Sequence, residues 1–253
     1  MIVQRLDGKR IAVTGAAGGL GVPLTRLLQE RGAHVVGIDR VDCVGCDESI
    51  VTDLSDEAAL ASLAGRLADE TPDILVNLAA VMRFGLHEDQ PSEALALCYR
   101  VNLYVPAVLA QAVSAPMRAR GHGQIVNIGS VLGAIPYPWF AAYSSSKAGL
   151  AALSQSLRRE LAGSGVAVTH VSPRAAKTPL NNSDVNRFLA ITNMKADAPE
   201  MVAQRIVEAI VLRRQTVTIG WMERLYAIVN ALAPRLIDNG IAPQIRRARA
   251  EFC

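Results

Sequence analysis

Tyr143 and Lys147 stand four residues apart in "YSSSK", with three serines between them and small apolar residues on either side. On a helix, positions i and i+4 share a face. A phenol titrates near ~10, so it is a poor proton acceptor at neutral pH. An ammonium beside it favours the phenolate, and the positive potential of a helix start acts in the same direction. Lowering the phenol pKa by ~3 units takes about 4 kcal/mol of differential stabilisation, much of which a lysine in a partly dry cleft can supply. The pair can therefore exchange a proton with an alcohol or ketone. Such pairs are more often packing pairs on a surface, so the surroundings decide.

Those surroundings contain a second chemical feature. "TGAAGGLG", Thr14 to Gly21, follows the apolar run "RIAVTG" (10–15) and opens a helical pattern. Glycines at such a turn let the backbone approach a pyrophosphate, which the helix N-terminus then stabilises. Asp39 ends the next apolar run, "AHVVGID" (33–39). A carboxylate there can accept both ribose hydroxyls of NAD and repel the 2′-phosphate of NADP. Arg40 argues the other way, since an arginine can accommodate that phosphate. The strand-end position of Asp39 favours NAD(H), with NADP(H) the alternative. Asp53 lies two residues before Ser55, the expected cap of the next helix, and is read either as a helix-start acid or as an adenine contact.

The elements that must position these groups alternate along the chain. Strands are expected at 10–15, 33–39, 73–79, 123–130, 166–173 and 216–220, with a further strand region before Asp53. Helices are expected at 22–32, 55–70, 92–121 (bent by Pro106) and 143–165. This rhythm predicts an α/β fold: a Rossmann-like, doubly wound parallel sheet with helices on both faces. With no linker or repeat, residues 1–253 read as one domain. A C-terminal amphipathic extension occupies about 221–253. There Trp221, Met222, Leu225, Ile228, Val229, Leu232, Leu236 and Ile237 recur at helical spacing.

Ordered together, "TGAAGGLG", "NLAA" (77–80), Asn102, "NIGS" ending at Ser130, "YSSSK" and "SPRAAKTP" resemble the short-chain dehydrogenase/reductase family, of the compact single-domain type. The likeness runs from about residue 8 to about residue 180. The glycine spacing also fits the larger, epimerase-like branch, but the length leaves little room for that branch's extra domain. The resemblance implies Tyr143 as general acid/base and Lys147 on the nicotinamide ribose, lowering the tyrosine pKa. It implies Ser130 on the substrate oxygen and Asn102 holding a water in a proton relay. Gly15, Gly19 and Gly21 would line the pyrophosphate and Asp39 the adenosine ribose. Asn77 would support the central strand and pass near the adenosine half. Thr178 would meet the carboxamide or pyrophosphate. Leu20, Arg40, Asp53, Ala79 and Pro173 complete the implied cofactor-binding set.

Three features depart from the pattern. "NLAA" replaces the usual Asn-Asn-Ala-Gly. Arg174 stands where glycine is usual beside the nicotinamide, so it is expected to face cofactor phosphates or an anionic substrate group, or else to point to solvent. The C-terminal stripe is long: core, oligomer contact, a lid over an apolar substrate, or a surface that touches lipid, with Arg246, Arg247 and Arg249 behind it.

Composition excludes some classes. Of 253 residues, 51% are hydrophobic and 4% aromatic, which fits buried sheet plus helices better than a β-sandwich. The net charge of +3 comes from scattered basic residues, not the dense stripe of a nucleic-acid reader, so no nucleic-acid partner is expected. "CVGC" (43–46) has no second Cys/His pair at a usable distance, and His34, His87, His122 and His170 lack ligand spacing, so no metal is expected. With no leader-like N-terminus and no uninterrupted apolar run of membrane length, a cytoplasmic protein is expected. "PYPWFAAY" (136–143) is expected to wall an apolar pocket, with Trp139 and Phe140 facing the substrate. A homodimer or homotetramer is expected, since helices of this family pair between subunits. The function expected is interconversion of a secondary alcohol and a ketone on an apolar or lipid-like small molecule. The alternative is a non-catalytic NAD(H) sensor or a lipid-associated regulatory protein.

Overall fold

The computed structural model describes residues 5–252; Cys253 and the first four residues, where the reading of the N-terminus began, lie outside that range. The described residues include seven strands: β1 (Arg10–Thr14), β2 (His34–Asp39), β3 (Glu48–Val51), β4 (Ile74–Asn77), β5 (Gly123–Ile128), β6 (Val166–Ser172) and β7 (Thr216–Thr218). They form one sheet in the order β3-β2-β1-β4-β5-β6-β7, and every pairing is parallel. The expected fold class holds.

Side chains on a strand alternate between faces, so each strand feeds two cores. Ile11, Val13, Val76 and Val126 pack on one face with Leu24 and Leu28 of α1 (Gly21–Gln29) and Val202, Ile206 and Ile210 of α7 (Pro199–Val211). Ala12, Leu75, Ile125 and Val168 pack on the other. There they meet Leu60 and Leu63 of α2 (Glu57–Glu70), Leu109 and Val113 of α4 (Val105–Ala119), and Leu157 of α5 (Ala141–Glu160). The chain winds outward from β1 through β2 to β3, then returns to place β4 on β1's other side. At such a reversal the loops leaving β1 and β4 diverge and open a crevice at the carboxyl ends of the strands.

Several boundaries differ from expectation. Asp56, not Ser55, caps α2: the Ala59 N–H donates to its carboxylate at 2.8 Å. Ser55 instead donates from its backbone and its hydroxyl to Asp53, at 2.8 and 2.7 Å. Pro106 lies in the first turn of α4, within a helical stretch that runs without a break from Ser92 to Ala119. The irregularity comes just before, as a π-helical turn over Arg100–Tyr104 that links α3 (Ser92–Tyr99) to α4. Ser92–Ala119 as a whole has the length and mean hydropathy of a membrane span, although Glu93, Arg100 and Asn102 interrupt its apolar run. Its buried side packs on the sheet through Val105, Leu109, Val113 and Met117, which makes it a core helix of the domain. Beyond β6, α6 (Ser183–Ile191), α8 (Trp221–Leu232) and α9 (Pro234–Phe252) close over the crevice.

Candidate active site

The crevice is a cavity of about 1430 Å³ that runs from the glycine turn to the C-terminal helices. At one end, Thr14 closes β1 and its hydroxyl accepts hydrogen bonds from the N–H groups of Leu78 and Ala79, both at 3.1 Å. This pins the loop after β4 against the glycine turn. Gly15 sits at φ +72°, and a Cβ there would lie 2.9 Å from the Ala79 nitrogen. A Cβ on Gly19 would lie 2.7 Å from Pro179 Cδ and 2.9 Å from Thr178 Cβ. Bare backbone at both positions is what lets three loops converge and still leave a channel beside the start of α1.

Asp39 stands at the carboxyl end of β2 and lines the cavity. Its carboxylate accepts from the Ala17 N–H at 3.0 Å and the Arg40 N–H at 2.7 Å, so it is fixed against the glycine turn. Arg40 and Asp53 line the same end. Hydrogen bonds from Ser55 hold the Asp53 carboxyl below the usual range, and the Arg40 charge adds to this.

In the middle of the cavity, Ser130, Tyr143 and Lys147 come together. Ser130 follows β5, and its Oγ accepts from the Leu132 N–H at 3.1 Å. Tyr143 and Lys147 share one face of α5, with the lysine Nζ 5.8 Å from the phenol ring centroid. Lys147 Nζ donates to the Ile128 carbonyl at 2.9 Å. Both groups are buried. Burial pushes the phenol up to about 12, against a smaller opposing effect of the Ser130 hydrogen bond. Burial also pushes the ammonium down to about 8. In the protein alone, burial of the phenol outweighs the Ser130 hydrogen bond, so the phenol sits above its ordinary value.

The cavity wall also contains Leu20, Gly21, Ala79, Pro173 and Thr178, as expected. Asn77 and Asn102 are absent from it. The Asn77 amide turns along the sheet and donates to Asn127 Oδ1 at 2.8 Å, so it supports the central strands. Asn102 lies in the π turn. Its side chain accepts from the Val81 N–H and donates to the Val81 carbonyl, both at 2.9 Å, and donates to Ser146 Oγ at 3.0 Å. These bonds make Asn102 an anchor for the loop after β4.

Arg174 also departs from expectation. It lines the cavity, yet its guanidinium points neither at a free anion site nor at solvent. Nε and Nη2 donate to Asp197 at 2.7 and 2.5 Å, and Nη1 donates to Glu223 of α8 at 3.3 Å. These carboxylates raise its pKa. The arginine is a strut between the strand-β6 loop, the segment before α7, and α8. Of the "PYPWFAAY" wall, Tyr137 and Phe140 face the cavity. Trp139, at φ +66°, turns away into an aromatic cluster with Phe84, Phe188 and Phe252. The C-terminal stripe divides: Met222, Val229 and Ile237 line the cavity, while Ile228 and Leu232 do not. Val185, Phe188 and Leu189 of α6 complete the apolar end; their spacing in "VNRFL" was the signal available for them. Among the described residues no group of acids, histidines and cysteines could hold a metal.

Residues 9–187 match the family model of the short chain dehydrogenases. The chain belongs to this family. It is therefore an oxidoreductase with a nicotinamide-dinucleotide cleft, as expected. A 3-oxoacyl-(acyl-carrier-protein) reductase FabG of Escherichia coli is 32% identical over 191 residues, covering 71% of this chain and 78% of that protein. A cis-4-hydroxycyclohexanecarboxylate dehydrogenase of Sinomonas cyclohexanicum is 37% identical over 188 residues, covering 68% and 75%. Among solved structures, a short chain dehydrogenase from Burkholderia cenocepacia in complex with NADP superposes with a TM-score of 0.80 at 25% identity, covering 94% of this chain and 99% of that one. A 4-hydroxyisoleucine dehydrogenase complexed with NADH gives 0.76 at 25% identity, covering 85% and 98%. The family resemblance read from the motifs is thus confirmed. The glycine turn with its Cβ-free approach, and a carboxylate at the end of β2, fit a nicotinamide dinucleotide.

Proposed function

We propose that this short-chain dehydrogenase interconverts a secondary alcohol and a ketone on a bulky apolar small molecule, with NAD(H) preferred. The observation that carries the reading is the position of Ser130, Tyr143 and Lys147. They lie midway along one cavity, between a glycine turn with its acid and an apolar chamber. When bound, the dinucleotide supplies or accepts the hydride. Every other step falls to side chains. The Ser130 hydroxyl fixes the substrate oxygen. Tyr143, kept protonated by burial, is set to give its proton to that oxygen in ketone reduction and to take it back in oxidation. Lys147 lies beneath the ring and supplies the positive field that eases the return step. The Asp39 carboxylate, fixed against the glycine turn, supports NAD(H) over NADP(H) by repelling a 2′-phosphate.

The chamber supports the apolar substrate: Met82, Leu132, Phe140, Phe188, Met222 and Val229 face it. The α8 helix serves as its lid. The intact proton-transfer set weighs against a sensor that binds NAD(H) without turnover. We also propose a homo-oligomer in a reducing, cytoplasmic compartment, in keeping with the free thiols of Cys43, Cys46 and Cys98.

The test is initial rates of NADH and NADPH oxidation with ketones of graded chain length. Turnover with NADH that rises with chain length is expected. Equal or better turnover with NADPH overturns the Asp39 argument, and tight NADH binding without turnover overturns the enzyme reading.

A further inference from the structure

The α8 helix has a second apolar face. Trp221, Leu225, Ile228 and Leu232 follow one another at spacings of four, three and four, so they lie on one side of the helix. They are 77%, 47%, 51% and 81% exposed, and Leu236 carries the stripe into α9 at 64%. No residue of α8 is buried. A monomer rarely leaves so many large apolar side chains together in water without a use for them.

This stripe is continuous with the substrate chamber. Trp221, Leu225, Tyr226 and Leu236 are exposed and also line the cavity. On the α8 side the chamber therefore opens onto an apolar surface, while the exposed Asn193 and Lys195 also line the cavity.

The exposed, unpaired charge of the C-terminal segment is mostly of one sign. Arg224, Arg235, Arg246, Arg247 and Arg249 are exposed, and none forms an ion pair among the described residues. Two of the three acids of the same segment are already paired: Glu223 with Arg174 and, at the surface, Glu251 with Arg187. Only Asp238 remains as a free counter-charge. A second copy packed here about a two-fold axis would bring this arginine-rich surface against itself. A negatively charged lipid surface meets both properties at once, apolar side chains into the acyl boundary and guanidinium groups onto the headgroups.

We propose that the outer face of α8 and the start of α9 dock on an anionic lipid surface, and that the apolar substrate enters the chamber from there. The proposal rests on the apolar-substrate reading given above. The helix lies in the interface plane and does not cross the bilayer; docking puts the mouth at Trp221 and Leu236 in contact with the lipid phase.

The experiment is co-sedimentation of the full chain with vesicles of phosphatidylcholine alone, or with about 30 mol% phosphatidylglycerol added. Three proteins are compared: the wild type, the double variant Ile228→Glu/Leu232→Glu, and the triple variant Arg246→Gln/Arg247→Gln/Arg249→Gln. Neither variant touches a cavity-lining residue. Wild-type protein is expected to sediment with the anionic vesicles and to stay in solution with the neutral ones. Each variant should lose at least about tenfold in partitioning, with turnover of a short soluble ketone unchanged. The proposal is overturned if wild-type protein ignores anionic vesicles, or if both variants still bind. It is also overturned if Ile228→Glu/Leu232→Glu converts an oligomer to a smaller species by light scattering, which would make the stripe an interface between copies. Soluble-ketone turnover keeps the two readings apart: with turnover intact and no vesicle binding only the docking fails, whereas vesicle binding without any turnover sinks the enzyme reading.

Discussion

Replacing Lys147 with methionine should stabilise the free protein while removing its activity. The lysine is 3% exposed, and burial lowers its pKa from 10.5 to about 8. At ~1.4 kcal/mol per unit, the buried ammonium costs the fold about 3 kcal/mol wherever lysine is charged in both states. Methionine fills similar volume without charge. It loses the bond to the Ile128 carbonyl and the contact over the Tyr143 ring, at a cost of about 1 kcal/mol. A net gain of roughly 1–2 kcal/mol remains, a rise of about 2–8 °C in Tm for a domain of this size. The sign with pH is fixed. The folded pKa lies below the unfolded one, so the penalty is full below pH 8 and fades as pH rises from 8 to 10.5. Thermal unfolding of wild type and Lys147→Met without cofactor, at pH 7 and pH 10, measures this directly. The gain should be present at pH 7 and nearly gone at pH 10. A lower Tm for the variant at pH 7, or a difference independent of pH, would refute the reasoning.

Three further outcomes are expected. Asp39→Ser removes the carboxylate that meets a 2′-phosphate, so the NADPH-to-NADH ratio of kcat/KM should rise at least about tenfold, checked by parallel initial rates. Gly19→Ala places a methyl against Pro179 and Thr178, so cofactor Kd by titration should rise about tenfold while Tm falls only slightly. Glu223→Gln frees α8 from Arg174 but keeps the Asp197 pair, and amide exchange in α8 should quicken several-fold with stability changed by less than about 1 kcal/mol.

The parts of the site legible in the sequence are those set by local spacing. Tyr143 and Lys147 share a face because four residues make one helical turn, and the glycine turn is read from its place after an apolar run. The same holds for Asp39, which ends a strand whose length is plain. Arg174 was misread because its partners, Asp197 in the segment before α7 and Glu223 in α8, lie 23 and 49 residues away, beyond the reach of any spacing rule. Trp139 was misplaced because its left-handed backbone turns the side chain away from the wall formed by Phe140. The bonds of Asn102 to the loop after β4 were not legible because a π turn, which re-aims a side chain, leaves no periodic mark in the sequence. The reversed pKa order of Tyr143 and Lys147 depends on burial, a property of the packed whole. The β3 strand, four residues at the sheet edge with polar and apolar residues mixed, gives too short a pattern to delimit.

The central claim is that Tyr143 moves the proton. Single-turnover oxidation of bound NADH by an apolar ketone, wild type against Tyr143→Phe, tests it most directly. The account predicts an unchanged Kd for NADH within about threefold and a hydride-transfer rate lower by roughly 10²–10⁴ in the variant. A Tyr143→Phe protein that reduces the ketone at close to the wild-type rate would contradict it.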